Sequence, residues 1–316
     1  DEDTNVINEW FGRTVIHSDR RFAYEDAQVR LETGEGDLAD ELALMFKLAT
    51  KLRENRFENG GIDFNTEEVR FELDESGKPL RVVIKRMRES NKLIEDFMLL
   101  ANVRVARFLA KVHPEKKTPT RTSIYRVHDN PDPEKLQALR VFVRRFGHEL
   151  PKPQKGNAEA LIRDLLKATA GTPEEGTVKT MAIRSMAKAE YSSTNIGHYG
   201  LSFPYYTHFT SPIRRYADVV VHRQLIAAVD VAEAEKRATE RDLDSLAQHL
   251  NERNRASKHA QSRCGEIYLL WLLREKPMIE PAVVHEIRDD GVMVFLPAFH
   301  MKAPIRLVDD AGNAIE

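Results

Sequence analysis

The sequence predicts an α+β fold, and three observations support this class. Several long segments repeat apolar residues at helical spacing. Two strand-like segments flank Glu75-Ser76-Gly77-Lys78, which is typical of a β-hairpin turn. Beyond Pro277 the pattern changes from helical to strand-like. At 316 residues the chain is long enough to bury a large core and to hold more than one structural unit.

The amino-terminal part is predicted to be mostly helical, with one hairpin. An alternating segment covers Phe11 and residues 14–17 and is followed by the first helix. The predicted elements are, in order, a short helix over 25–31 ending near Gly34 and Gly36, a helix over 37–55, strands over 69–73 and 80–84, and a helix over 92–111. A break at Gly60-Gly61 separates the second helix from the hairpin.

The remainder is predicted to alternate short helices with extended segments before a long charged helix. The elements are an extended segment over 121–127, a turn over 129–133, a helix over 134–146, a loop over 152–157, helices over 158–168 and 178–190, a helix over 241–274, and strands over 279–288 and 292–296. The apolar face of the long helix is predicted to comprise Leu243, Leu246, Leu250, Ile267, Leu270 and Leu273.

Composition limits the classes of partner. Forty-eight Lys and Arg residues oppose 50 Asp and Glu residues, so the net charge is -2 and no global basic field attracts a polyanion. Any nucleic-acid site must therefore concentrate positive charge locally, in a cleft. The single cysteine, Cys264, excludes an intramolecular disulfide and a cysteine-clustered zinc site. No long apolar run or secretory signal is visible, so we expect a cytoplasmic protein without a membrane partner.

The segment 198–223 concentrates aromatic rings, two adjacent arginines and three histidines. Aromatic faces stack on bases and guanidinium groups bind phosphates, so the segment predicts a nucleic-acid contact. Thr210-Ser211-Pro212 predicts a helix start, with Arg214 and Arg215 in the first turn, where free N–H groups also attract anions. Residues 213, 216, 220 and 221 would share one helix face, and Asp218 would orient Arg214. The alternative is a capped core helix whose arginines form surface ion pairs.

The sequence Thr207-His-Phe-Thr-Ser-Pro-Ile-Arg-Arg-Tyr216 resembles the signature of the ribonuclease II/ribonuclease R (RNB) family. The resemblance implies a hydrolytic exoribonuclease that degrades single-stranded RNA from its 3′ end to nucleoside 5′-monophosphates. It also implies part of an RNB-type catalytic domain over 1–276, with a mixed sheet and surrounding helices. The start of an OB-type barrel is expected over 277–316, with a β extension of the main domain as the alternative. The chain departs from the family at Ala217, where a proline is usual.

The resemblance assigns roles to four residues of this segment. Arg214 is expected to be catalytic, by neutralising charge on the scissile phosphate. Arg215, Tyr206 and His208 are expected to bind RNA by shaping the cleft. His198, His208 and His222 are too far apart in sequence for a compact zinc motif, so packing or phosphate contacts are the expected roles of these histidines.

Three further RNA-binding residues follow from the resemblance. Tyr24 is expected to contact the 3′-terminal nucleotide, and Phe64 to stack on a base. Glu95 is expected to accept hydrogen bonds from ribose hydroxyls, which would distinguish RNA from DNA. Each has a simpler alternative: Tyr24 as a core or half-exposed tyrosine, Phe64 as an inward-packing strand residue, and Glu95 as a partner of the helix dipole.

Catalysis in this family uses magnesium, which the family holds with an aspartate-rich loop. No such loop is visible in the sequence, so we assign no metal ligand and expect a fragment of a larger protein or an absent upstream part. We expect the 316 residues alone to be inactive. The alternative function is a non-catalytic RNA-binding or scaffold protein that retained the fold. The sequence does not indicate the oligomeric state.

Overall fold

The structure is a computed structural model that describes residues 1–62, 68–110, 123–152, 158–172, 174–229, 240–288, 291–299 and 301–306. The helices of this part are α1 (Tyr24–Thr33), α2 (Ala39–Glu58), α3 (Glu89–Leu109), α4 (Pro133–Arg144), α5 (Ala158–Ala168), α6 (Glu175–Ser185), α7 (Tyr216–Val229) and α8 (Glu240–Glu275). None of these helices has the length and apolar character needed to cross a bilayer.

The strands of the described residues form small antiparallel sheets. They are β1 (Glu68–Leu73), β2 (Pro79–Lys85), β3 (Tyr125–Val127), β4 (Glu190–Ser192), β5 (Val283–Arg288), β6 (Gly291–Leu296) and β7 (Met301–Ile305). β1 pairs with β2, β3 pairs with β4, and β5, β6 and β7 form a meander. In the β3–β4 pair, Arg126 lies opposite Tyr191. Helices and strands together confirm the predicted α+β class.

The chain divides into two compact units. The first comprises Asp1–Phe64 and Arg88–Arg253, and the second comprises Asn65–Met87 and Asn254–Glu316. The β1–β2 hairpin therefore belongs to the second unit, together with the meander and the later part of α8. The predicted domain boundary between residues 276 and 277 stays a prediction.

Local sequence signals explain several element ends. Gly34 ends α1 with a φ of 70°, a left-handed conformation that glycine adopts without strain. α4 begins with Pro133 after Asp132, whose side chain accepts a hydrogen bond from the backbone N of Glu134 at 2.9 Å. The Asp74 carboxylate accepts from the backbone N of Ser76 and of Lys78, which closes the predicted hairpin turn.

Two apolar clusters of the first unit support the segment 198–223. One joins α3 to α7 through the buried residues Val105, Leu109, Val221 and Leu225. The other packs α7 against α8, β4 and the start of β3 through Ile124, Tyr191, Ala217, Val220, Leu243, Ala247 and Leu250. α7 therefore has apolar neighbours on two sides, which fixes the position of the residues just before it.

Two helix predictions were wrong in detail. The predicted helix over 178–190 ends at Ser185, and Glu190 instead begins β4, where pairing with β3 determines the conformation. In the later part of α8 the buried residues are Leu269 and Leu272 rather than Ile267 and Leu270. Neighbouring elements, rather than helical spacing alone, determine which apolar side chains become buried.

The carboxyl-terminal strands were only partly predicted. β5 and β6 correspond to the two predicted strands, and β7 adds a third that the sequence pattern did not indicate. The predicted turn residues Asp289 and Asp290 lie outside the described residues. A three-stranded meander is compatible with the start of an OB-type barrel, which stays a prediction.

Candidate nucleic-acid interface

The segment before α7 forms a turn rather than the predicted first turn of a helix. α7 begins at Tyr216, four residues after Pro212. The carbonyl of Ser211 accepts from the backbone N of Arg214 at 3.3 Å and of Arg215 at 3.1 Å. Ile213 is fully exposed at this turn and does not join Val220 and Val221 in the core, so its predicted place on the buried helix face was wrong. Tyr216 is likewise exposed.

Asp218 closes this turn from within α7. Its Oδ1 accepts from the backbone N of Ser211 at 2.7 Å and from Nη2 of Arg215 at 2.8 Å. The predicted Arg214–Asp218 pair was therefore wrong, because Arg215 takes the carboxylate. The Asp218 side chain is fully buried and that of Arg215 is 19% exposed. Arg215 consequently holds the turn, while the exposed Arg214 has a long contact of 3.4 Å from Nη2 to Oγ of Ser211.

Tyr206 is the centre of an aromatic cluster beside this turn. Its ring lies 5.2 to 5.8 Å from the rings of His198, His208 and Phe203. Asn102 of α3 donates through Nδ2 to the Tyr206 hydroxyl at 3.3 Å and accepts from the backbone N of Phe209 at 2.9 Å. Tyr206 is buried, so in this conformation it shapes the wall of the site rather than offering a face to a base.

His208 is connected to β4 and β3 through Tyr191. The Tyr191 hydroxyl lies 2.9 Å from Nδ1 of His208. The guanidinium of Arg126 lies 4.7 Å from the centroid of the Tyr191 ring, a cation–π distance. Nη1 of Arg126 is buried and has no hydrogen-bond partner within the described part of the chain.

The histidines of the cluster are held neutral. Burial, followed by the charges on Arg215 and Arg126, lowers the pKa of His208 to about 2. Burial and the neighbouring His128 lower the pKa of His198 to about 3. Positive charge at the site therefore comes from arginine, while the imidazoles act as neutral hydrogen-bonding groups.

Glu95 lies on the exposed side of α3 near this cluster. Burial raises the pKa of Tyr206, and the negative charge of Glu95 raises it further, while Arg215 and Arg126 oppose this increase. The structure thus brings five predicted residues together in one electrostatic environment: Glu95, Tyr206, His208, Arg214 and Arg215. Their roles stay predictions.

The structure does not test the roles of the other two predicted residues. Tyr24 is the first residue of α1 and is 42% exposed, which agrees with the half-exposed alternative rather than with a core position. Phe64 lies outside the described residues. The RNA-binding roles of both stay predictions.

Magnesium does not fit the carboxylates that the structure describes. Within the described ranges, no group of three or more His, Cys, Asp or Glu side chains could hold a metal ion. Asp96, next to Glu95, is buried and paired with Arg53 at 2.9 Å and with Arg56 at 3.6 Å. Its carboxylate therefore neutralises arginines inside the first unit.

Three residues of the site were missed by the sequence reasoning. Arg126 was interpreted as part of a structural strand end, and Tyr191 and Asn251 were given no role. A signal was present for Arg126, because an arginine between Tyr125 and Val127 in a buried strand requires partners inside the protein. Asn251 of α8 holds the backbone of Tyr191 through two hydrogen bonds of its side-chain amide. This contact depends on the packing of α8 against β4, which local sequence does not encode.

The comparison with known families settles which group the chain belongs to. A profile of the RNB domain matches residues 1–230, which include the turn, Tyr206, His208 and both arginines. The chain belongs to the RNB family. The predicted resemblance is thereby confirmed.

Relatives in the RNB family include named exonucleases. The chain is 34% identical to the exosome complex exonuclease RRP44 homolog A of Arabidopsis thaliana over 316 residues, covering 96% of the chain and 33% of that protein. It is 32% identical to ribonuclease R of Aquifex aeolicus over 268 residues, covering 83% of the chain and 37% of that protein. The chain thus spans about a third of the length of these curated relatives.

Solved structures share the fold. RNase R of Mycoplasma genitalium, in complex with ribose-methylated single-stranded RNA, matches with a TM-score of 0.78 at 23% identity, over 94% of the chain and 47% of that protein. Yeast Ssd1, described as a pseudonuclease, matches with a TM-score of 0.68 at 18% identity, over 96% of the chain and 37% of that protein. At these identities the matches establish the RNB fold alone.

Proposed function

We propose that this chain is part of a hydrolytic 3′-to-5′ exoribonuclease that degrades single-stranded RNA to nucleoside 5′-monophosphates. The observation that carries the proposal is the separation of roles between two adjacent arginines. Arg215 is tied to the buried Asp218, whereas Arg214 is exposed on the turn that this pair stabilises. The exonuclease names of the relatives support the same reaction class.

Arg214 would act on the charge that develops at the scissile phosphate. Phosphodiester hydrolysis increases negative charge on the phosphoryl oxygens, and a guanidinium positioned beforehand stabilises that charge without reorganising during the reaction. The turn provides this positioning, because Ser211 and Asp218 hold its backbone on both sides of Arg214. Arg214 is therefore the residue expected to affect the chemical step.

The aromatic cluster would hold the RNA strand next to Arg214. Phe203 and His208 are half-buried, so their ring edges or hydrogen-bonding groups can contact RNA at the surface. The buried Tyr206 packs against both rings and holds them in place. The exposed Glu95 carboxylate would accept from ribose hydroxyls and so favour RNA over DNA. The proposal includes Tyr24 and Phe64 as contacts to the 3′-terminal nucleotides.

Magnesium is proposed as the cofactor of the full-length protein, where a bound ion would act as a Lewis acid at the phosphodiester. The described residues do not provide its ligands, so carboxylates from elsewhere would have to supply them. A cytoplasmic location is also proposed, since Cys264 is an exposed free thiol of the kind that persists in a reducing compartment.

A second candidate is a non-catalytic RNA-binding protein with the same fold. Two observations favour it: the match to the pseudonuclease Ssd1 covers 96% of the chain, and no metal-binding group is found among the described residues. Such a protein would retain the aromatic cluster and arginines for binding and would not hydrolyse RNA.

The reaction products distinguish the two functions. The full-length protein is incubated with magnesium and a single-stranded RNA labelled at its 5′ end, and the products are separated by size and by chromatography. The exoribonuclease predicts progressive shortening from the 3′ end with release of nucleoside 5′-monophosphates, and no shortening of DNA of the same sequence. Tight binding of the RNA without shortening would support the binding protein instead.

A further inference from the structure

Tyr191 is held from three sides, by Asn251, Arg126 and His208. Its backbone N donates to Oδ1 of Asn251 at 2.8 Å, and its carbonyl accepts from Nδ2 of the same residue at 2.9 Å. β4 pairs it with Arg126 of β3, whose guanidinium also lies on the Tyr191 ring. The side chain is buried and its hydroxyl ends at Nδ1 of His208. The hydroxyl of this fixed Tyr191 side chain therefore forms a hydrogen bond with one specific nitrogen of His208.

The direction of this hydrogen bond follows from the available partners. Burial raises the pKa of Tyr191, so its hydroxyl keeps its proton at neutral pH. Within the described residues, Nδ1 of His208 is the only recorded partner of this hydroxyl. If Nδ1 carried the proton of the imidazole, the buried hydroxyl would be left without an acceptor, at a cost in free energy. Donation from Tyr191 to Nδ1 satisfies both groups and puts the imidazole proton on Nε2.

The charges around His208 keep the ring neutral. The groups that face it come from β3, β4 and the segment 198–215, and they are Arg126, Tyr191, His198, Tyr206, Arg214 and Arg215. The three arginines all disfavour a second proton on the imidazole. Among the described residues no carboxylate is recorded in contact with His208 to offset them. The arginines attract an RNA phosphate, and the neutral ring offers it one directional N–H group.

We propose that His208 binds RNA as a neutral donor from Nε2 to a phosphate oxygen, and that Tyr191 is the positioning residue that fixes this tautomer. The inference rests on the proposed RNA-binding function and specifies the chemistry of one of its residues. Arg126 and Asn251 act one step further away, by holding the ring and the backbone of Tyr191. The role of His208 thus differs from that of the arginines. His208 provides a directional hydrogen bond to the phosphate, whereas the arginines provide positive charge.

The tautomer of His208 can be measured in the absence of RNA. The 316-residue chain is labelled with ¹⁵N-histidine, and long-range ¹⁵N–¹H correlations distinguish the Nε2–H, the Nδ1–H and the charged forms of the imidazole. The His208 signals are assigned by their absence in His208→Gln. We expect the Nε2–H form at neutral pH in the unmodified chain. The Nδ1–H form or a charged ring would overturn the inference, whether or not the chain binds RNA.

RNA affinity tests the donor itself. Gln places its amide N–H near the position of Nε2, whereas Asn places it near Nδ1. We expect His208→Gln to bind a single-stranded RNA within about threefold of the unmodified chain, and His208→Asn to bind it about five- to tenfold more weakly, as for one lost hydrogen bond. Equal affinity of the two variants, at unchanged thermal stability, would contradict a donor at Nε2.

Tyr191→Phe removes only the hydroxyl that fixes the ring. We expect about five- to tenfold weaker RNA binding and a mixture of His208 tautomers in the ¹⁵N spectrum. The matched control is Tyr268→Phe, which removes a hydroxyl in the second unit, where the Tyr268 ring packs on Phe71. A pure Nε2–H tautomer in Tyr191→Phe would overturn the positioning role. If the unmodified chain does not bind single-stranded RNA at all, the RNA-binding part of the proposed function is refuted. The tautomer assignment would not be affected by that result.

Discussion

The guanidinium of Arg215 donates to the Oδ1 atom of Asp218 at 2.8 Å, and the same oxygen accepts from the backbone N of Ser211 at 2.7 Å. One buried carboxylate thus joins the two ends of the turn that precedes α7. Arg214, between these ends, is exposed and has no carboxylate partner among the described residues. Two adjacent arginines of the same motif therefore have different physical roles.

The stability of variants should show this difference. Arg215→Ala leaves the buried Asp218 carboxylate without its cation, so we expect the free energy of unfolding to fall by about 3 kcal/mol. Arg214→Ala should change it by less than about 0.5 kcal/mol, because the side chain is exposed. Urea titration followed by circular dichroism measures both. Equal effects of the two variants would show that the Asp218 contact does not distinguish the two arginines.

The neutral histidines predict a specific pH dependence. The pKa of His198 is lowered to about 3 and that of His208 to about 2, and burial also lowers the pKa of His128. The unfolded chain takes up protons at these histidines near pH ~6.5, and the folded chain does not. The free energy of unfolding should therefore decrease as the pH falls below about 6.5, by up to about 1.4 kcal/mol per pH unit for each histidine.

His198→Gln provides the matched variant for this prediction. Removing His198, whose pKa is lowered to about 3, should reduce the slope between about pH 6.5 and about pH 5. The measurement is a series of urea titrations across that range. A free energy of unfolding that stays constant over the range would mean that these histidines titrate in the folded chain as they do in the unfolded one.

Asn102 should couple α3 to the segment 198–215. Asn102→Ala removes the donor to the Tyr206 hydroxyl and leaves the backbone N of Phe209 without its acceptor, so we expect a loss of about 2 kcal/mol in the free energy of unfolding. Asn130→Ala is the control, since the exposed Asn130 side chain contacts, among the described residues, its neighbour Asp129. RNA affinity should fall in the first variant and not in the second. The same loss of stability in both would remove the special role of Asn102.

We expect the 316-residue chain to bind single-stranded RNA without hydrolysing it. With magnesium present it should bind single-stranded RNA, because the arginines and aromatic cluster belong to one unit. We predict that it does not release mononucleotides, because the aspartate-rich metal loop of the family is not visible in its sequence. Gel-shift and product assays on the same sample measure the two properties. Magnesium-dependent release of nucleoside 5′-monophosphates from this chain would contradict the expectation.

Much of the fold could be predicted from local patterns. The limits of α5 and the turn between β1 and β2 follow from helical spacing and from Glu75-Ser76-Gly77-Lys78. The signature residues also indicated the family, which the match of the RNB domain over residues 1–230 confirms. In these cases the information lies within a few neighbouring residues.

Long-range contacts explain what was missed. α7 begins at Tyr216 rather than near Pro212 because Asp218 accepts from Ser211 and Arg215 across the intervening turn. Arg126 enters the site because β3 pairs with β4, about 65 residues later in the chain. Neither contact produces a periodic pattern, so spacing arguments could not identify them.

Arg214 is proposed to stabilise charge in the reaction rather than to bind RNA in the ground state. The direct test compares full-length Arg214→Ala with the unmodified protein, using the single-turnover rate of mononucleotide release and the Kd for a single-stranded RNA. Arg144→Ala, an exposed arginine at the end of α4, is the control. We predict a rate about 100- to 1,000-fold lower with Kd changed less than about threefold. An unchanged rate, or a loss of rate matched by an equal loss of affinity, would contradict the claim.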